Sequence, residues 1–337
     1  MKPNFIKTAG YKTLSVVVPV YNEQEVLLEF HKRLSSALDS LSLDSEVIYV
    51  NDGSTDNTLQ IVRDLSKKDA KVAFIDFSRN FGKEVALTAG LDYATGDAVV
   101  VIDADLQDPP ELIPELFKSL QEGYDVVYGQ RISRKGESFL KKATAAGFYR
   151  FMRQFGRTTL PQDTGDFRIL SRRAVNALNQ IHEQHRFMKG LFTWIGYPQK
   201  AVSYERDPRY GGKTKWNYWK LWNFALEGIT SYTAAPLKIA TYFGFAIAGC
   251  AFLYALIVII KTLLFHDPVQ GYPSLMVAIL FLGGIQLVFI GLIGEYLGRT
   301  YNESKRRPLY FVNEYVPSSF FKTKSEQNDI PELKKVN

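Results

Sequence analysis

Ala98-Val99-Val100-Val101-Ile102-Asp103-Ala104-Asp105-Leu106-Gln107 is the stretch that decides the reading of this chain. Five apolar, mostly β-branched residues predict a buried strand. At its carboxyl end stand two carboxylates one residue apart. On an extended chain the side chains at i and i+2 point the same way, so Asp103 and Asp105 crowd one face. Two anions held that close repel unless a cation or hydrogen-bond donors lie between them. A hard divalent ion bound to a phosphate meets that need. An acidic surface loop is the plain alternative. The position at a strand end favours the first reading, because open α/β sheets bind ligands there.

The same pattern repeats on both sides of this stretch. Leu14 to Val20 (LSVVVPV) predicts a strand, and Tyr21-Asn22-Glu23-Gln24-Glu25 a helix start with Asn22 as N-cap, running to about Leu41. Strands follow at 46–50, 71–77, 97–102 and 124–128, with helices at 57–68, 83–94 and from Pro109-Pro110-Glu111 to about Glu122. Strands alternating with helices predict an α/β fold with a parallel sheet covered on both faces. Beyond Pro317 the chain is polar and without periodicity, so disorder is expected there.

The chain has 337 residues, one cysteine (Cys250) and a formal charge of +6. That excludes a disulfide framework and favours a reducing compartment. The N-terminal MKPNF has no apolar stretch, so no signal peptide is expected. Lys and Arg cluster at 131–157, 205–220 and 299–307, which suits phosphates or an anionic membrane. No RNA-binding or helix-turn-helix signature accompanies them, so nucleic acid is not expected as a partner. Ile239–Ile260 and Ser274–Gly294 are uncharged, each near the ~20 residues that span a bilayer. Basic residues flank the outer ends of both: Lys213, Lys215, Lys220 and Lys238 before, Arg299, Lys305, Arg306 and Arg307 after. The positive-inside rule then places both flanks in the cytoplasm with a short external hairpin between the spans. Ser138–Arg157 mixes aromatic and basic residues as interfacial helices do, and Trp216, Trp219 and Trp222 precede the first span.

The strand-end loops collect the chemistry. The first offers Pro19, Tyr21 and Glu23, the second Asp52, the fourth Asp103, Asp105 and Gln107, and the fifth Arg131. The chain holds no GxGxxG, no GxxxxGK[ST] and no Ser–His–Asp set, so dinucleotide oxidoreduction, P-loop hydrolysis and acyl transfer lack their parts. An aromatic ring with a carboxylate suits a nucleoside. Asp-x-Asp suits a metal-bound diphosphate, and oxygen donors without a Cys/His cluster point to Mg²⁺ or Mn²⁺ rather than zinc.

Six separated motifs, VVVPVYNEQE, VNDGSTDNT, SRNFGKE, DADLQDPPE, TGDFR and RYGGKTKW, occur in order over about residues 14–312. The set resembles the inverting family-2 glycosyltransferases, and among them the polyisoprenyl-phosphate enzymes. The two apolar spans and the closing GEYLGRTYNESKRRPLY favour the bactoprenol glucosyltransferase branch of O-antigen modification.

The resemblance implies a GT-A-type domain over 1–230 with a mostly parallel sheet. It further implies a two-helix transmembrane hairpin over 237–298 (spans near 239–260 and 274–296) and a cytoplasmic tail over 299–337. It implies an enzyme of the bacterial inner membrane, with UDP-glucose as donor and undecaprenyl phosphate as acceptor. A downstream flippase and a periplasmic glucosyltransferase would be further partners, and self-association is left open. By position, Pro19, Tyr21, Glu23 and Asp52 would hold uracil and ribose, with Asp103 and Ala104 at the nucleotide. Asp105 and Gln107 would ligate the ion, and Asp166 stands where the family places a catalytic carboxylate. Arg131, Lys141 and Lys142 are candidates for the acceptor phosphate, and Arg209 and Lys215 for a loop closing over the diphosphate. Lys83 stays open between a site residue and a surface lysine at a helix start. The alternatives are another sugar, such as mannose or an amino-arabinose derivative, and a polysaccharide synthase with a hydroxyl acceptor, whose QxxRW motif is missing.

Overall fold

The computed structural model describes residues 10–132, 164–184, 186–205, 235–265 and 271–320. The segment 138–157 with Lys141 and Lys142, the positions Arg209 and Lys215, and the Trp216–Trp222 series lie outside the described residues. The chain forms two compact units: one of 1–150, 158–217 and 308–337, the other of 151–157 and 218–307.

In the first unit, β1 (Thr13–Val20), β2 (Asp44–Asn51), β3 (Val72–Phe77) and β4 (Ala98–Val101) pair in parallel, in the order β3-β2-β1-β4. Their valines and isoleucines are fully buried, as expected of strands covered on both faces. Each such side chain contributes roughly 1.5–3 kcal/mol by leaving water. The crossovers are α1 (Leu27–Asp39), α2 (Thr58–Lys68) and α3 (Lys83–Tyr93). α1 buries Leu27, Phe30, Leu34 and Leu38, the three- and four-residue spacing of a single apolar stripe. α3 lies so close to β1 that a Cβ on Gly90 would stand 2.1 Å from Val17 Cγ1, so only glycine fits there.

A 3-10 turn at Pro110–Leu112 leads into α4 (Ile113–Gln121) and β5 (Val126–Arg131). β6 (Thr164–Ser171) then runs antiparallel between β4 and β5. α5 (Arg172–Leu178), α6 (Met188–Trp194) and β7 (Gln199–Tyr204) follow, with β7 parallel to β5. The eighth strand, β8 (Val312–Val316), pairs antiparallel with β3 at the far edge. The sheet is therefore mostly parallel, with two antiparallel strands.

Two expectations change. Asn22 does not cap a helix: its φ is 54°, and α1 begins only at Leu27. Its amide oxygen instead accepts the Thr55 N–H at 2.8 Å, holding the turn after β2. The stretch after the second apolar run is also more than a tail. Beyond Pro317, Ser318 is buried and the Phe320 N–H donates to Ala70 O at 3.2 Å, so order extends to at least residue 320.

The second unit holds α7 (Ala235–Phe265) and α8 (Tyr272–Ser304), which contain the two predicted spans. Phe281–Ser304 is long and apolar enough to cross a membrane, and Ile239–Tyr254 is a shorter apolar stretch. Phe245, Phe252, Leu287 and Val288 stand exposed along these helices. Apolar side chains exposed in such number need an apolar solvent, so this unit is membrane-associated.

Candidate active site

The site is built at the carboxyl ends of β1, β2 and β4, with β6 completing it. The turn Tyr21-Asn22-Glu23 after β1 is locked to the turn after β2. The Asn22 N–H donates to Ser54 Oγ at 3.0 Å and the Glu23 N–H to Thr58 Oγ1 at 2.9 Å. Pro19 lies on β1 and Tyr21 just beyond it, 37% exposed.

Asp52 is buried, and its carboxylate accepts the N–H groups of Phe81 at 2.7 Å and Gly82 at 3.0 Å. Burial raises its carboxyl above the usual range, against the pull of those two N–H groups. Its first task is thus to hold the loop 80–82; a nucleoside would use the acceptor capacity that remains. At Gly53, with φ +65°, a Cβ would lie 2.5 Å from Asn80 N, so the two loops meet backbone to backbone. Gly53→Ala is expected to cost roughly 1–3 kcal/mol through this left-handed position and the clash, read as a lowered Tm.

The Asp-x-Asp segment is a turn beyond the end of β4 at Val101 rather than extended chain, yet its burial alternates. Ala104, Leu106 and Asp108 point inward and are buried, whereas Asp103, Asp105 and Gln107 share the outward, half-buried face. Leu106 is left-handed with φ 58°, a conformation costing roughly 1–2 kcal/mol that its burial in the core sustains. The Gln107 N–H donates to Asp105 Oδ1 at 3.2 Å.

Lys83 answers the repulsion in this acidic face. Its Nζ donates to Asp103 at 2.7 Å and to Asp166 Oδ2 at 2.5 Å. Burial works against this ammonium, but the two carboxylates hold it well above the ordinary lysine range. Burial likewise pushes Asp166 up, yet Lys83, Lys189 and Arg168 outweigh it and keep the carboxyl well below the usual range. Asp103 is raised by burial and by the Asp166 charge in spite of Lys83. Asp166 comes from β6, and its Oδ1 is buried with no hydrogen-bond partner among the described residues. Arg168, two residues on, donates to the Asp166 carbonyl at 3.1 Å and lies 3.7 Å over the Phe192 ring. Burial lowers its guanidinium to about 10 against the nearby carboxylates.

Beside Lys83, Glu84 Oε2 accepts the Met188 N–H at 3.0 Å, tying α3 to α6. Burial and the Asp166 charge push Glu84 up to about 7. The folded chain therefore keeps this proton in the window between the ordinary glutamate range and pH 7. Its stability falls as pH rises through that window. Glu84→Gln keeps the acceptor oxygen and removes the loss. Scanning calorimetry should find the variant and the parent alike near pH 4.5, with the variant melting higher at pH 8.

Arg131 is not free to swing. Its Nη2 donates to buried Asp108 Oδ1 at 3.2 Å, its Nε donates to Tyr204 Oη at 3.2 Å, and the Tyr204 hydroxyl donates to Asp108. Asp108 and Tyr204 were not singled out from the sequence. Asp108 lies inside the Asp-x-Asp segment, and its place opposite Arg131 depends on pairings made by distant strands.

Asp105 and Gln107 offer oxygen donors on one half-exposed face, which fits a hard divalent cation. Among the described residues no three His, Cys, Asp or Glu side chains converge to hold an ion by themselves. A divalent cation at this face would therefore need further oxygen ligands, such as those of a diphosphate, as Mg²⁺ sites commonly do.

A mostly parallel sheet with carboxylates gathered at its strand ends is a GT-A-like α/β fold. The chain belongs to glycosyl transferase family 2, whose profile matches residues 15–178, and carries a GtrB C-terminal hairpin at 235–300. It is 52% identical over 309 residues to an uncharacterised glycosyltransferase of Synechocystis sp., covering 90% of this chain and 97% of that one. It is 46% identical over 299 residues to a prophage bactoprenol glucosyl transferase homolog of Escherichia coli, covering 89% and 98%. The bactoprenol glucosyl transferase of Shigella phage SfV is likewise 46% identical over 299 residues, covering 89% and 97%.

Proposed function

We propose that this glycosyltransferase moves glucose from UDP-glucose to undecaprenyl phosphate with inversion, at the cytoplasmic face of a bacterial inner membrane. Near-full-length similarity to proteins named bactoprenol glucosyl transferase carries the reading, and the acidic face beside Asp166 supports it. Both apolar helices span the membrane in this reading, with the catalytic unit and both termini inside. The glucosyl lipid is a substrate for a flippase and a periplasmic glucosyltransferase.

Pro19, Tyr21, Glu23 and Asp52 hold the nucleoside, and Asp103 with Ala104 its ribose side. Asp105 and Gln107 would hold a Mg²⁺ or Mn²⁺ ion, which when bound neutralises charge on the departing diphosphate. Arg209 and Lys215 add positive charge there. Arg131, fixed by Asp108 and Tyr204, directs the acceptor phosphate, with Lys141 and Lys142 near the headgroups. A phosphate monoester is largely dianionic at pH 7, its second pKa being about 6. It therefore needs no base to become a nucleophile. Asp166, ionised throughout the physiological range, orients its neighbours rather than removing a proton. A single in-line displacement at the anomeric carbon inverts an α-linked donor to a β-linked product.

The test is incubation of the full-length protein in detergent with undecaprenyl phosphate and labelled nucleotide sugars. Transfer from UDP-glucose ahead of the others is expected; preference for another sugar nucleotide would overturn the donor assignment. Arg131→Ala should raise the KM for the lipid phosphate more than the KM for the sugar nucleotide. The reverse pattern would remove Arg131 from the acceptor site.

A further inference from the structure

The segment after α8 reaches the donor-site loops by two routes. β8 pairs with β3 in the register Phe74↔Val316, Ile75↔Tyr315 and Asp76↔Glu314. The first route is polar. Asn313 Nδ2 donates to Asp76 Oδ2 at 3.0 Å, and Asn51 Nδ2 donates to Asp76 Oδ1 at 2.7 Å. The Ser54 N–H donates to Asn51 Oδ1 at 3.4 Å, and Ser54 Oγ takes the Asn22 N–H. Asp76 and Asn51 are both buried, so the middle of this chain is shielded from water. Its far end is the turn that carries Tyr21 and Glu23.

The second route is aromatic. Tyr310 stacks on Phe77 with centroids 5.1 Å apart, Phe77 meets the Phe81 ring edge-on at 5.6 Å, and Phe311 lies 6.4 Å from Phe81. The Ser78 N–H donates to Phe311 O at 3.0 Å, and the Tyr310 hydroxyl to Asp92 on α3 at 2.9 Å. Phe81 is one of the two residues whose N–H groups grip Asp52, and Lys83 follows two residues later. Residues 78–80 and 83 are exposed, so core packing does little to fix this loop. Arg63 pairs with Glu314 at 2.6 Å on the α2 side and belongs to neither route.

We propose that Tyr310, Phe311 and Asn313 are positioning residues for the nucleotide-sugar site, so that the segment following the apolar helices is a working part of the catalytic unit. Asn313 acts through Asp76 and Asn51 on the turn at Asn22. Tyr310 and Phe311 act through Phe77 and Phe81 on the loop that holds Asp52 and presents Lys83. The proposal rests on the donor-site reading above.

The test uses the full-length protein in nanodiscs. Asn313→Ala and the double variant Tyr310→Ala/Phe311→Ala are compared with Tyr310→Phe, which keeps the ring, and Arg63→Ala, which loosens β8 on its other side. Hydrogen exchange should speed up about five- to tenfold at Asn22 and Ser54 in Asn313→Ala, and at Phe81 and Gly82 in the double variant, the effect of losing one ordinary net interaction. Their affinity for UDP in Mg²⁺, and their KM for the sugar nucleotide, should weaken by a similar factor, with the KM for lipid phosphate unchanged. Tyr310→Phe, which gives up the bond to Asp92 on α3 but keeps the ring stack on Phe77 that reaches the loop, and Arg63→Ala should stay near the parent in all of these. Unaltered exchange and UDP affinity in Asn313→Ala and the double variant would overturn the proposal. So would equal weakening for donor and acceptor. A parent protein that fails to bind UDP would remove the donor-site reading, and the exchange measurement would still decide whether the segment positions the loop.

Discussion

Asp105→Ala is expected to lower glycosyl transfer by on the order of 10²–10³-fold, the usual cost of removing one preorganised group that stabilises developing charge. The alternation of the segment is the reason. Leu106 is anchored in the core, while Asp105 and Gln107 on either side of it are half-buried. Alanine at 105 leaves that anchor intact, so the variant keeps its fold while losing the negative donor. Raising Mg²⁺ or Mn²⁺ should restore little, and ion binding followed by Mn²⁺ relaxation should weaken in parallel. Near-parental turnover at low Mg²⁺ would sink the assignment of Asp105 as a ligand. Asp103→Ala is a different case, because Asp103 is already engaged by Lys83.

Lys83→Met should be nearly as damaging. The ammonium lies 2.7 Å from Asp103 and 2.5 Å from Asp166, and methionine keeps its bulk without its charge. The two carboxylates then face each other unshielded. Lys83 is 42% exposed, so water and salt would soften the repulsion, and high ionic strength should recover part of the rate. The pH profile carries the diagnostic sign. In the parent, Lys83 helps to hold Asp166 below the usual carboxylate range, so the group stays ionised across neutral pH. Without Lys83, burial and the Asp103 charge move it upward. The variant's rate should then climb with pH across a range where the parent's is flat, and Lys83→Arg should flatten it again. A variant that is slow but equally flat would mean that Lys83 does not control the charge of Asp166.

Much of the architecture was legible because long apolar runs end in polar loops. β1 to β4 and their crossover helices follow from Leu14–Val20, Glu46–Val50, Lys71–Phe77 and Ala98–Ile102, each buried on both faces. The half-buried placing of Asp103, Asp105 and Gln107 agrees with a two-residue alternation, but the chain there is a turn after β4 and not the extended strand that the period assumes. The Lys83 bridge was not legible. A lysine at the first position of α3 is an ordinary surface residue until β6, more than eighty positions later, brings Asp166 beside it. The Arg131–Asp108–Tyr204 set is hidden for the same reason. β8 escaped notice because an edge strand pairs on one side only, and VNEYV carries no continuous apolar run. Asn22 misled because asparagine serves equally well as a helix cap and as a left-handed turn former.

The place of β8 in the chain also sets an order of events. Phe77 and its register partner Val312 are 235 positions apart, with both long apolar helices lying between them. A ribosome adding ~5–20 residues per second reaches β8 roughly ten to fifty seconds after β3. The edge of the sheet waits through that interval for a partner that cannot be made before the hydrophobic helices are. A nascent chain that stalls, or a message cut short ahead of that point, yields a protein whose β3 edge and the loop after it lack β8. Completion of the enzyme is thereby tied to completion of its membrane anchor.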